Sequence, residues 1–266
     1  VTSFNSDGFT LGADTGPGSQ SFNYYTDNHV AWLWKAGTAF SNSAGANGAS
    51  IASSGSVNTT AGFAIISYTG NIQSGQTVAH GLGGVPEMIW AKSRDSSANW
   101  VVFTKDLTSE HTLYLNTTGQ QNNSGTTWGS HTSTVFGVDD DPQSNGDGDA
   151  TIAYLFRSIE GYSKIGSYKG NNDADGPFVF TGFRPAWVLT KRIDGTSWWG
   201  ISDSARSTTN EIANTLAANN AESESSLTSD LNLDFLSNGF KIRDTDGYYN
   251  ASGGSYIYLA FAEAPF

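Results

Sequence analysis

The sequence predicts an all-β protein made of tandem β-sandwich repeats of about 100 residues, with a jelly-roll or lectin-like architecture. Short apolar runs typical of strands alternate with turns rich in Gly, Asn and Asp, and no long helical period interrupts them. Whole strings also recur about 100 residues apart. Ala64-Ile-Ile-Ser-Tyr-Thr-Gly-Asn71 matches Ser163-Lys-Ile-Gly-Ser-Tyr-Lys-Gly-Asn171, and Pro86-Glu-Met-Ile-Trp-Ala-Lys92 matches Pro185-Ala-Trp-Val-Leu-Thr-Lys191.

The recurring strings divide the chain into four segments. Residues 62–161 and 162–266 are predicted to be two complete β-sandwich repeats. Residues 1–36 match only the last third of each repeat, so we interpret them as the C-terminal part of an incomplete repeat. Residues 37–61 are rich in Gly, Ser and Ala and predict a flexible linker, with short edge strands near residues 50–53 and 56–58 as the alternative.

Each segment has its own strand candidates. Residues 9–11 and 29–34 are predicted strands of the incomplete repeat. The first complete repeat has candidates at residues 63–68, 88–92, 100–103, 112–115, 135–138 and 151–156. In the second, Ala, Leu and Glu favour a helix over residues 209–222. We nevertheless predict a strand at residues 214–217, because this stretch aligns with the strand at residues 112–115 and two copies of one fold share their strands.

Composition limits the classes of function. Charged residues make up 14% of the 266 residues and the net charge is −12, so a nucleic-acid backbone would be repelled. There is no cysteine, which removes disulfides and thiolate catalysis. No apolar run is long enough for a membrane span, which predicts no membrane insertion. A neutral, polar and Gly-rich surface is typical of extracellular or virion β-proteins.

The acidic loop at residues 139–149 is the strongest metal candidate. Its Asp139, Asp141, Asp147 and Asp149 offer the closely spaced carboxylate oxygens that Ca²⁺ requires. The loop lacks the glutamate and residue order of an EF-hand, and acidic loops between strands are usually solvated connections. Two interpretations therefore remain: a calcium site formed by these four residues, and a solvated hairpin loop.

Four aromatic residues beside loops form the candidate ligand surface. They are Trp128, Trp198, Tyr248 and Tyr249, and they have no clear counterparts between the repeats. Other tryptophans and tyrosines recur and are predicted to belong to the common core. Exposed aromatic faces stack on sugar rings, so these four predict contact with a glycan. The alternative is packing within the fold or against another subunit.

Catalytic patterns are weak. A pair of carboxylates could hydrolyse a glycoside, but the acidic residues fall in turns and no pair stands out. The four histidines lack ligand spacing, and no Gly-x-Ser-x-Gly elbow is present. We therefore predict no enzyme activity and no cofactor apart from the calcium candidate.

Three strings resemble a known kind of repeat: Glu160-Gly-Tyr-Ser-Lys-Ile-Gly-Ser-Tyr-Lys-Gly-Asn171, Asp175-Gly-Pro-Phe-Val-Phe-Thr-Gly-Phe-Arg-Pro-Ala-Trp-Val188 and Tyr256-Ile-Tyr-Leu-Ala-Phe-Ala-Glu-Ala-Pro-Phe266. They resemble a repeat of large virion proteins of marine tailed phages, regarded as tail-fibre or tail-associated proteins. The chain departs from that pattern at residues 155–160, where Arg157 stands at a position usually held by a small residue. The resemblance implies no particular functional residue.

Together these observations predict a structural or receptor-binding protein of a tailed-phage virion, located outside the cell and involved in host recognition. The first alternative is a lectin-like module that contacts host surface glycan, and the second is a tailspike polysaccharide depolymerase. The usual construction of tail fibres favours a homo-oligomer such as a trimer, or assembly with other virion proteins.

Overall fold

The computed structural model describes residues 1–6, 8–13, 23, 28–108, 110–224 and 232–263. The chain forms two compact units, Val1–Lys35 and Ala36–Phe266. Among the described residues, none of the helices has the length and apolarity needed to span a membrane.

The first unit contains an antiparallel hairpin of β1 (Ser3–Asn5) and β2 (Gly8–Thr10), in which Phe4 lies opposite Phe9. Strand β2 overlaps the predicted strand at residues 9–11. The strand predicted at residues 29–34 is wrong, because these residues have no strand assignment. An extended segment becomes a strand only when a neighbouring backbone completes its hydrogen-bond ladder. No ladder in the described part of the chain includes residues 29–34.

The second unit holds the remaining strands, as the all-β prediction requires. They are β3 (Thr38–Asn42), β4 (Ser53–Asn58), β5 (Phe63–Thr69), β6 (Gln76–Ala79), β7 (Met88–Ser93), β8 (Val101–Thr104), β9 (His111–Tyr114), β10 (Asn122–Asn123), β11 (Val135–Val138), β12 (Ala150–Phe156), β13 (Ser163–Lys169), β14 (Phe178–Phe180), β15 (Pro185–Arg192), β16 (Trp199–Asp203), β17 (Thr215–Ala217), β18 (Leu233–Leu236), β19 (Gly239–Ile242) and β20 (Ser255–Ala262). Three short helical turns accompany them, a 3-10 turn (Ala46–Gly48), α1 (Pro142–Asn145) and α2 (Gly247–Asn250).

Residues 36–161 form a first lobe. Its main sheet has the order β10-β9-β8-β7-β12-β5-β4-β3, and the β11-β6 pair forms a second, smaller sheet. Alternation along β5 turns Ala64, Ile66 and Tyr68 into a core that also contains Val78 and Phe136 of the small sheet. Antiparallel sheets that share one core define a sandwich.

Residues 162–263 form a second lobe with the same plan. Its five-stranded sheet has the order β13-β20-β15-β16-β17 and shares a core with the three-stranded sheet β14-β19-β18. The region that composition favours as a helix contains β17, so the prediction of a strand at residues 214–217 is confirmed. The six strands predicted within residues 62–161 are also present, whereas β6, β10, α1 and α2 were not predicted.

The segment predicted as a linker is instead part of the first lobe. Strand β4 pairs with β5 along its whole length, and β3 extends the sheet beyond β4. Gly55 explains why such a Gly-rich segment fits there. A Cβ at Gly55 would lie only 1.9 Å from the carbonyl oxygen of Ile65, so the close approach of the two strands requires glycine.

The two lobes carry the same buried hydrogen bonds at matching positions. The Asn145 side chain accepts a hydrogen bond from the Asn71 N–H at 2.9 Å and donates to the carbonyls of residues 73 and 139. The Asn250 side chain accepts from the Asn171 N–H at 2.7 Å and donates to the carbonyls of residues 173 and 244. Each asparagine thereby ties the short helical turn of its lobe to the segment that follows β5 in the first lobe and β13 in the second.

The lobes pack directly against each other rather than forming separate domains. The indole N–H of Trp199 donates to the carbonyl of Tyr114 at 2.9 Å, and the Lys191 amine donates to the carbonyl of Thr118 at 3.0 Å. Phe156 and Phe261 meet edge to face with ring centroids 6.3 Å apart. Residues 36–266 consequently form one compact unit that contains both predicted sandwich repeats.

Candidate functional site

A cleft of about 550 Å³ in the first lobe is the best candidate for a ligand site. This volume lies within the range of small-molecule sites in proteins. Its wall combines two aromatic rings with polar and charged side chains. The lining includes Phe103, Lys105, Thr108, Glu110, His111, Thr127, Trp128 and Asp139. The cleft lies beside strands β8 and β9 and the turn that joins them, so rigid strands support one wall.

Trp128 is half-buried and fixed in position by specific contacts. Its indole N–H donates to the hydroxyl oxygen of Thr112 at 3.1 Å, and that hydroxyl donates to the carbonyl of Val102. The ring meets Phe103 edge to face at 6.2 Å, and His131 packs on Phe103 at 4.1 Å. An indole held in this way presents a preorganised apolar surface to the cleft.

The histidine next to this aromatic group is neutral at neutral pH. Burial, with a smaller contribution from the charge of His80, lowers the pKa of His131 to about 4. Its Nδ1 accepts a hydrogen bond from the Gly137 N–H at 3.2 Å. Burial also lowers the pKa of His80. Among the residues that line the cleft, Lys105 pairs with Glu87, and Glu110 and Asp139 contribute carboxylates.

Three carboxylates of the acidic loop accept hydrogen bonds from nearby backbone and side-chain donors. Asp141 is buried and caps α1, where it accepts hydrogen bonds from the Gln143 N–H and the Thr127 hydroxyl. Asp139 accepts from the Gly75 N–H at 3.0 Å. Asp149 accepts from the Ser93 hydroxyl at 2.8 Å, and Asp147 is exposed.

Three of the four predicted calcium ligands, Asp139, Asp141 and Asp149, are therefore bonded to different parts of the lobe. Within the described residues, no group of three or more histidine or acidic side chains is placed to hold a metal ion. The sequence pattern did not reveal that the loop contains the helical turn α1, which requires a carboxylate at its start.

Two of the predicted aromatic residues stack on each other in the second lobe. The rings of Trp198 and Tyr248 lie parallel, 4.5 Å apart and 5° from coplanar, and both are half-buried against the core. One face of each ring is therefore covered by the other ring. The Ser197 hydroxyl, which donates to both of their carbonyls, joins the two segments.

Tyr249 is not a surface residue, and its prediction as a ligand residue is wrong. It is only 2% exposed and packs in the core of the second lobe. Space for it comes from Gly200, where a Cβ would lie 2.4 Å from the tyrosine hydroxyl. In the first lobe, Ser144 matches Tyr249 and Val101 matches Gly200. The larger side chain is therefore in the helical turn of the second lobe but in the strand of the first lobe. This exchange was a sequence signal that Tyr249 is buried.

Of the site residues predicted from the sequence, Trp128 and Asp139 line the cleft. Its other polar residues, including Lys105, Thr108, Glu110 and His111, were not predicted. They come from the turn between β8 and β9, where Glu110 has a positive φ of 65°, and from His111 at the start of β9. A left-handed residue in a turn carries no reliable sequence signature unless it is glycine or asparagine, so no pattern could have identified this wall.

The structure is that of an all-β protein with a small, partly aromatic cleft on a two-lobed unit. The chain belongs to the family described as "Domain of unknown function (DUF7483)", whose model matches residues 1–265. No curated protein and no solved structure matches the chain.

Proposed function

We propose that this protein is a non-catalytic, extracellular module of a tailed-phage virion, and that the cleft beside Trp128 binds a sugar of a host surface glycan. The proposed binding role rests on the cleft. Sugar rings present apolar C–H faces and polar hydroxyl edges, and they bind where an aromatic ring lies among hydrogen-bonding groups. The virion role rests on the resemblance of three strings to tail-associated repeats.

The polar groups of the cleft suit hydroxyl ligands. Glu110 and Asp139 offer carboxylate acceptors, while Lys105 and Thr108 offer donors. Charged hydrogen bonds of this kind provide specificity, and the indole provides contact area.

We assign no catalytic step to this site. One carboxylate oxygen of Asp139 accepts hydrogen bonds from two backbone N–H groups, of Gly75 and Asp140. These bonds fix the carboxylate to its loop as a hydrogen-bond acceptor. The absence of reducing sugar after long incubation with host polysaccharides is the expected result, and its release would support a depolymerase.

Loss of the indole should weaken glycan binding more than loss of any other tryptophan outside the core. Glycan-array screening would identify a ligand, and calorimetric titration would then compare variants. Trp128→Ala is expected to weaken binding at least about tenfold, which corresponds to ~1.4 kcal/mol. Trp128→Phe keeps an aromatic face against Phe103 and should weaken binding less.

Trp198→Ala is the matched control, because Trp198 is also half-buried but stacks on Tyr248 in the second lobe. It should bind the glycan like the original protein. Equal weakening by Trp128→Ala and Trp198→Ala would reject the cleft as the site. Circular dichroism and urea unfolding of each variant would separate loss of binding from loss of folding.

A further inference from the structure

One part of the contact between the lobes, apart from the Phe156–Phe261 ring contact, joins an edge of the first lobe to a face of the second. The edge consists of residues 114–121, which we call the docking edge. Besides the bonds from Trp199 and Lys191, its Thr118 carbonyl accepts from the Ser197 N–H at 2.9 Å, and its Gln121 N–H donates to the Ile193 carbonyl at 2.9 Å. The covered surface is the side of the five-stranded sheet that points away from the core of the second lobe.

The first lobe has the same face, but there it is only half-buried. The main sheets of the two lobes pair in the same register, since Tyr154 lies opposite Ile65 and Trp90, while Leu259 lies opposite Ile165 and Leu189. We call this face of the first lobe the outer face. Five of its residues match residues of the second-lobe face: Trp90 matches Leu189, Lys92 matches Lys191, Trp100 matches Trp199, Ile152 matches Ile257, and Tyr154 matches Leu259.

Burial separates the two faces clearly. All five residues of the second-lobe face are at most 2% exposed, whereas all five residues of the outer face are only partly buried. Three of the latter are aromatic, and the rings of Trp100 and Tyr154 stack 6.1 Å apart. A partly exposed aromatic sheet face marks an interaction surface.

The second lobe also has its own version of the docking edge. Asn219 accepts a hydrogen bond from the Trp199 N–H, as Asn116 accepts from the Trp100 N–H, so the two edges can be aligned residue by residue. On this alignment residues 217–224 correspond to residues 114–121. Within the described residues, β17 is the last strand on that side of its sheet.

Charge supports a pairing between this second docking edge and the outer face. Gln121 bonds to Ile193 within the chain, and the matching residues are Glu224 and Arg94. An exposed arginine would therefore approach a glutamate of opposite charge, which also pairs with Arg206 of its own lobe at 3.4 Å.

We propose that the outer face of one chain binds the docking edge at residues 217–224 of a second copy, repeating the contact that joins the two lobes within each chain. In this contact the Lys92 amine donates to the carbonyl of Ala221, as Lys191 does to Thr118. The Trp100 indole N–H donates to the carbonyl of Ala217, as Trp199 does to Tyr114.

Such a contact is head to tail, because each chain uses two different surfaces. It therefore produces a closed ring or a growing filament and not a contact of one surface with its own copy. The inference deepens the structural part of the proposed function and rests on that part, while glycan binding in the cleft does not depend on it.

Charge exchange across the proposed contact tests it with the full chain. Lys92→Glu places a carboxylate against the Ala221 carbonyl and Glu224. Ala221→Arg places a cation against Lys92. Each variant alone should lose self-association. An equimolar mixture should regain self-association. The carboxylate introduced at position 92 of one variant then faces the guanidinium introduced at position 221 of the other. The next contact along the assembly joins the unchanged Lys92 of the second variant to the unchanged Ala221 of the first. Lys169→Glu makes the same charge change outside both surfaces and should associate normally.

Sedimentation equilibrium over micromolar to millimolar concentrations would measure the outcome. The original chain should exceed its single-chain mass of 28.2 kDa at least twofold at high concentration. A constant single-chain mass would overturn the proposal, as would a mixture of the two variants that stays at single-chain mass. Glycan binding by Lys92→Glu should be unchanged, so failure of self-association and failure of the binding role are separate results.

Discussion

Trp199→Ala is expected to lower the free energy of unfolding by about 3–5 kcal/mol, the loss typical of a fully buried tryptophan. Trp199 is 0% exposed and lies where the two lobes meet. Its removal leaves a cavity and deprives the Tyr114 carbonyl of the indole N–H. Urea unfolding monitored by circular dichroism measures the change from the midpoint and slope.

The first lobe provides a matched control at the same structural position. Trp100→Ala should cost only about 1–2 kcal/mol, because Trp100 is half-buried and loses mainly its stacking on Tyr154. Similar losses for the two variants would contradict the idea that contact between the lobes, and not the shared sheet, buries Trp199.

Lys191→Met should remove a dependence of stability on pH. Burial, with a smaller repulsion from Arg192, lowers the pKa of Lys191 from its ordinary value of 10.5 to about 7. Between these values the unfolded chain carries a proton that the folded chain lacks. The free energy of unfolding of the original protein therefore rises with pH in that window, by up to about 1.4 kcal/mol per pH unit.

Urea unfolding in steps from about pH 7 to about pH 9 covers the lower part of this window and avoids the ionisation of tyrosines at higher pH. The profile of Lys191→Met should be flat where that of the original protein rises. Lys92→Met is the matched control: its amine bonds to the carbonyls of Ser93 and Ser96 on a half-exposed face, and it should keep the original profile. A rising profile that persists in Lys191→Met would show that another group causes it.

Alternation and repetition predict the six strands expected within residues 62–161 and the strand at residues 214–217, but not β6 or β10. The strand at residues 214–217 is the clearest case, because local propensity favours a helix and only the match with residues 112–115 indicates a strand. Tertiary pairing with β16 decides this competition, as it usually does for weak propensities.

Composition gave a wrong prediction for residues 37–61, where glycine has a packing role. Residues 37–61 have the composition of a linker, yet Gly55 is needed because β4 and β5 approach too closely for a side chain. Glycine has a similar role beside Tyr249, whose large side chain fits in the core because Gly200 leaves space for it. Composition counts glycines, but it does not reveal which of them make room for a neighbour.

The site was harder to predict than the fold. Trp128 stood out because no counterpart repeats it, and the structure places it in the cleft. The other wall depends on the conformation of the turn that contains Thr108 and Glu110, which a sequence pattern does not specify. Carboxylates that resemble metal ligands instead accept hydrogen bonds at α1 and nearby turns, because an acidic side chain in a loop can serve either role.

Hydrogen exchange of the full chain with and without an array-identified glycan tests the central claim most directly. A ligand in the cleft should slow exchange of the amides at residues 104–108 and 127–130, which line it. Exchange around the stacked pair of Trp198 and Tyr248 should not change. Slowing confined to residues 197–199 and 247–249, or no slowing at saturating glycan, would contradict a sugar site beside Trp128.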